Sequence, residues 1–190
     1  MMGRVSDASP QLKARTAGVF WAMVFLAGSL ALVLGGGVVF SAANIVAPLC
    51  YAVVTLLLYD LLKPVNRSVS LLAAFFGFVG CAVSLFRLTP FIGLRDLVFF
   101  GLQCLLVGYL ILKSTFLPRV LGALMALAGL GWLTFLWPPL ARDLSPYNLV
   151  PGMLGEGALI VWLLVKGVNV QRWKEQAGAV GVTGVRNDVA

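Results

Sequence analysis

No histidine occurs among the 190 residues, and only 11% of them carry a charge. The first absence removes the commonest general base and metal ligand, and with it histidine-ligated haem and most catalytic zinc sites. The second leaves less than half of the roughly 25% charge of an ordinary soluble domain. Cysteine is scarce as well: Cys50, Cys81 and Cys104 stand far apart and form no CxxC pair. They read as small buried apolar residues, not as a disulfide framework or metal motif. The paired carboxylates of a glycosidase are missing too. No catalytic residue, no metal and no cofactor is therefore expected, and the protein is not expected to be an enzyme.

Apolar sequence takes up the remainder. The chain is 61% hydrophobic, with a mean hydropathy of +0.99, more than one soluble core of this size can hide. It requires lipid as its solvent. The net charge of +7 does not point to nucleic acid, because the basic residues flank apolar stretches in the manner of membrane orientation signals.

From Thr16 to Tyr59 the chain carries no charge over 44 residues, about twice the ~20 that one crossing needs. Two spans and a tight turn are expected there, with Gly35-Gly36-Gly37, Ser41, Asn44 and Pro48 as the breakers. The apolar stretch is too long for a secretory signal, whose apolar region runs to about 7–15 residues, so an uncleaved span is expected. Small residues at Gly18 and Ala22, then at Ala27, Ala31 and Gly35, offer a surface for close helix approach. Further on, Lys63-Pro64, Thr89-Pro90, Lys113 to Arg119 and Arg142 to Pro146 mark the turns between four more apolar stretches.

The expected fold is all-α, an integral membrane bundle of six transmembrane helices at about 17–39, 43–62, 68–88, 94–113, 118–138 and 147–167. Residues 1–16 form a basic N-terminal segment, and 168–190 a tail expected to be disordered from Gly178. The termini and the second and fourth turns hold 11 of the 14 cations; Arg87, Arg95 and Arg142 lie on the other side. By the positive-inside rule both termini are cytoplasmic. Trp132 and Trp137 at the end of span five read as an interfacial belt, and Val168 to Gln176 as a surface-lying anchor.

Several blocks carry a family resemblance: Arg15-Thr-Ala-Gly18, Leu58-Tyr-Asp-Leu-Leu-Lys-Pro-Val-Asn-Arg67, Ser114-Thr-Phe-Leu-Pro-Arg119, Leu154-Gly-Glu-Gly157 and Trp162-Leu-Leu-Val-Lys-Gly-Val-Asn169. The chain resembles, from about Arg15 to Gln176, a family of small bacterial membrane proteins known as the domain of unknown function numbered 4386. The resemblance implies a multi-span protein of the bacterial cytoplasmic (inner) membrane. It brings no activity, cofactor or site residue.

Chemistry concentrates on Glu156, a carboxylate inside the last span. At about 1.5 Å per residue it lies roughly 13 Å below Tyr147, near the middle of a core about 30 Å thick. Gln103 lies at a similar depth, Tyr51 and Ser84 somewhat higher, and Arg87 and Arg95 at the outer ends of their spans. An outward-facing polar pocket is expected from these six: Glu156 as its floor, Gln103 hydrogen-bonded to it, and Arg87 or Arg95 as counter-ion. Pro151-Gly152, Gly155 and Gly157 either loosen the start of span six or let a partner helix come close. Two readings stand side by side. In one, the protein binds or transports a small solute through this pocket. In the other, Glu156 is interhelical glue in a structural or accessory protein that associates with further copies or with another membrane protein.

Overall fold

In the computed structural model, residues 9–34, 36–86 and 95–187 are described, and all regular structure among them is helical. The long helices are α1 (Pro10–Leu34), α2 (Gly37–Leu62), α3 (Arg67–Leu85), α4 (Asp96–Lys113) and α5 (Arg119–Leu133). After a short 3-10 turn come the six-residue α6 (Pro138–Asp143), then α7 (Val150–Val165) and α8 (Val170–Asn187). Five stretches among the described residues are long and apolar enough to cross a membrane: Gly37–Leu62, Arg67–Leu85, Asp96–Lys113, Arg119–Leu136 and Tyr147–Val165.

The long helices close into a ring. α1 packs on α2, α2 on α3, α3 on α4, α4 on α5 and α5 on α7, and α7 returns to α1. Burial follows the ring. Trp21, Val54, Leu110, Met125, Leu159 and Leu163 fill its inside, while Leu26, Leu56, Phe75, Leu130 and Val161 point out and are exposed. Large apolar residues on the outside and Glu156, Gln103 and Thr55 within reverse the usual soluble arrangement, in which buried charge is rare and surface charge common.

Local chemistry sets the helix ends. The turn after α1 comes at Gly36-Gly37, where Gly37 has φ +84°, a left-handed conformation that glycine adopts at little cost. It therefore precedes the region near residues 40–42 expected from Ser41 and Asn44, and both fit inside α2 because Asn44 returns its amide to the Phe40 carbonyl at 2.8 Å. Asn66 caps α3 by accepting from the Val69 amide at 3.0 Å. Ser114 and Pro118 separate α4 from α5, Ser114 turning its hydroxyl back to the Ile111 carbonyl. α7 stops at Gly167, φ +68°, whose amide reaches back to Trp162 O at 2.9 Å.

Three further features differ from the sequence expectation. α1 starts at Pro10, not near residue 17, because its basic first turn is built into the bundle. Lys13 is buried and pairs with Asp60, which Lys63 also holds. α7 runs unbroken past its glycines, since Pro151 sits in the first turn, where no intrahelical N–H is required. The tail expected to be disordered from Gly178 is helical to Asn187. Its first turns are fixed from outside: Asn169 caps the Arg172 amide, Trp173 donates to Leu61 O at 2.8 Å, and Gln176 accepts from Thr115. With the nucleus formed, each further residue costs little to add.

Glycine makes room where α5 meets α7. A Cβ on Gly155 would overlap the Leu124 backbone carbonyl, whereas one on Gly157 would meet nothing within 4 Å. Gly155→Ala is therefore expected to lower stability by about 1–3 kcal/mol through overpacking, and Gly157→Ala to leave it within about 0.5 kcal/mol. Thermal unfolding of the two variants in one detergent checks the contrast.

Candidate functional site

Glu156 sits on the inner face of α7 and is 6% exposed. Its carboxylate is reached from three other helices. Trp21 of α1 donates its indole N–H to Oε2 at 3.0 Å, and Trp132 of α5 donates its own to Oε1 at 2.5 Å. The Cys104 thiol of α4 lies 3.8 Å from Oε1. Among the described residues no cation forms an ion pair with Glu156; the ion pairs there are Lys13 and Lys63 with Asp60. Neutral donors therefore satisfy the oxygens and supply no compensating charge.

An aromatic wall continues from this point. The ring of Trp21 meets Tyr51 edge-on at 5.9 Å, and Tyr51 meets Phe100 at 4.7 Å. α2 thus contributes to the site through Tyr51, four residues before Thr55, which belongs to a second polar contact nearby.

Of the six residues singled out in the sequence, Glu156 and Tyr51 come together here. Gln103 is buried but turns elsewhere: its amide nitrogen donates to Thr55 Oγ1 at 3.2 Å, and its Oε1 has no partner among the described residues. The reason is helical phase. Successive residues point about 100° apart, so when Cys104 faces Glu156, Gln103 faces α2 and α3, lying against Gly77 where no side chain intervenes. Ser84 is half-buried in the last turn of α3. Arg95 is exposed, with its guanidinium 5.2 Å over the Phe135 ring. It is a surface cation–π pair and not the counter-ion of Glu156. Arg87 lies outside the described residues.

The residues that sequence reasoning missed are the two tryptophans and Cys104. Trp132, expected in an interfacial belt beside Trp137, turns its N–H inward, while Trp137 is 67% exposed. Two signals existed. A buried indole needs an acceptor, and Glu156 is the carboxylate available at that depth. Trp21 also follows Gly18 by three residues, and Gly18 packs on Leu163 and Leu164 of α7, so both share the face that meets the last helix. Gly152 completes the fit, because a side chain there would collide with the Trp132 ring.

The model of a family described as "Domain of unknown function (DUF4386)" matches residues 36–96 and 92–167. The chain is also 37% identical, over 125 residues, to an "Uncharacterized protein" of Archaeoglobus fulgidus, covering 60% of this chain and 75% of that protein. No solved structure matches.

A hydrogen bond to a charged partner contributes about 1.5–3 kcal/mol. Trp132→Phe is expected to cost that order in the wild-type background and much less beside Glu156→Leu, where no acceptor remains. A double-mutant cycle by unfolding in detergent measures this coupling; strictly additive losses would contradict the contact.

Proposed function

The chain belongs to the DUF4386 family, whose description brings no activity with it, and on that premise we propose that it is a six-span, non-enzymatic membrane protein that binds a small cationic solute at Glu156. One observation carries the reading: a carboxylate buried inside the ring and held only by neutral donors among the described residues. An ionised carboxylate in such surroundings costs several kcal/mol unless its charge is matched. A cation entering the site matches it. The aromatic rings that continue from it, Trp21, Tyr51 and Phe100, favour an organic cation, which aromatic rings attract when water is excluded.

The six-span topology draws on α1, which is 25 residues long, uncharged from Thr16 onward and packed on both α2 and α7. The cation count supports a bacterial cytoplasmic membrane with both termini inside, and the pocket then opens outward, on the side of Tyr147. No nucleic acid or cofactor has a role in this reading. A further copy of the chain or another membrane protein would be the partner if Glu156 were glue alone.

The test is tryptophan fluorescence of the purified protein in lipid nanodiscs, titrated with cations from tetramethylammonium to tetraphenylphosphonium. A saturable change is expected for at least one of them, weakened about tenfold or more in folded Glu156→Gln, about 1.4 kcal/mol. No saturable change across the series, together with a membrane protein that co-purifies in stoichiometric amount, would establish the accessory reading instead.

A further inference from the structure

Away from Glu156, at the end of the bundle where α1 begins and α8 starts, a cleft of about 360 Å³ opens between two connections. One wall is the α4–α5 turn from Thr115 to Pro118, and the other runs from Trp162 through Lys166 to Arg172. Its volume falls in the range of small-ligand sites, roughly 300–1,000 Å³. We infer that this cleft binds the phosphodiester headgroup of an anionic phospholipid, with Arg172 and Lys166 as its ligands.

Charge comes first. Lys166 and Arg172 are both exposed at the cleft, and neither forms an ion pair among the described residues. Lys113 and Arg119, at the ends of the helices joined by the opposite wall, add two more exposed cations. The nearby carboxylate, Glu175, is occupied by Gln171 at 3.2 Å. Arg172 donates one N–H to Thr115 O at 3.4 Å, which orients the guanidinium across the opening and leaves its other N–H groups to meet a phosphate in the forked geometry that arginine favours.

The cleft is also preformed. Gln11 of α1 ties down the wall between the cations, donating to Lys166 O at 2.9 Å and accepting from Val168 N at 3.0 Å. Asn169 N bonds Phe116 O at 3.2 Å directly across the two connections. Gly167, in its left-handed conformation, has no side chain to displace Gln11. A rigid site loses little entropy on binding.

Free phosphate would satisfy the same cations. The choice of a lipid comes from what lies next to them. Along α7 the outward-facing residues just before Lys166 and little more than a turn before it, Val165 and Val161, are 65% and 60% exposed, and Val120 beside Arg119 is 63% exposed. These apolar strips lead from the cations into the membrane, where acyl chains run. Trp162, half-buried at the cleft, is the amphipathic residue expected at headgroup level.

The experiment compares thermal unfolding in a neutral detergent with added phosphatidylglycerol, phosphatidylcholine, or sodium phosphate at matched ionic strength. Phosphatidylglycerol is expected to raise the midpoint saturably, the other two not to. The pair Lys166→Gln with Arg172→Gln should weaken the phosphatidylglycerol effect at least fivefold, while Arg67→Gln with Arg142→Gln, which removes equal charge elsewhere, should not. If the first pair does not fold, native mass spectrometry of the wild type in mixed lipid decides, with preferential retention of phosphatidylglycerol expected. Equal protection of both charge pairs, equal protection by inorganic phosphate, or equal retention of the two lipids would overturn the inference.

Discussion

The contact on which the interior depends is the carboxylate of Glu156 between the indoles of Trp21 and Trp132. It joins α1, α5 and α7 at one point, and Cys104 adds α4. In water such hydrogen bonds would contribute little net stability, because water competes for them. Inside the ring, the same bonds are expensive to leave unmade. The packing follows from this demand. Gly152 must be small because the Trp132 ring lies over it, Gly155 because α5 must approach α7 closely, and Gly18 because α1 must reach the same helix.

A second polar clamp holds the N-terminal end of α1. Lys13, buried, and Lys63 share Asp60, so that the start of α1 is bound to the end of α2 by matched charge. The two clamps differ in kind. Around Asp60 the carboxylate has two cations, and the arrangement is complete within the protein. Around Glu156 the carboxylate has donors without charge, and this asymmetry separates a structural ion pair from a site with an unmet demand.

Much of this was legible in the sequence, for identifiable reasons. Apolar runs bounded by Lys63-Pro64 and by Lys113 to Pro118 mark the helices because charge is excluded from the apolar stretches; proline is a poorer mark, since Pro48, expected to be a breaker, lies inside α2. Glu156 drew attention because it violates that exclusion, and Lys63 beside Asp60 is visible as a close neighbour in the chain. The partners of Glu156 were not legible, since they come from residues 21, 104 and 132 and depend on how each helix is rotated. Gln103 shows the sensitivity: one residue from Cys104, it turns to Thr55 instead. Lys13 was hidden in the same way, 47 residues from Asp60. The helix after Asn169 was hidden because its order comes from Thr115 and Leu61, not from its own glycine-rich composition.

The bundle thus has an interior carboxylate that no cation pairs with among the described residues, and, at the end where α1 begins, a cleft lined by Lys166 and Arg172, which form no ion pair there. The interior site is the more fundamental of the two, because the helix arrangement is built around it. Indole N–H resonances observe it directly, in a protein with five tryptophans. In a nitrogen-15 proton spectrum of the nanodisc-embedded protein, two indole signals, those of Trp21 and Trp132, are expected to lie downfield of the rest. Both should shift when Glu156→Gln removes the charge, while those of Trp137, Trp162 and Trp173 stay in place. Five signals unmoved by that substitution would contradict the account at its centre.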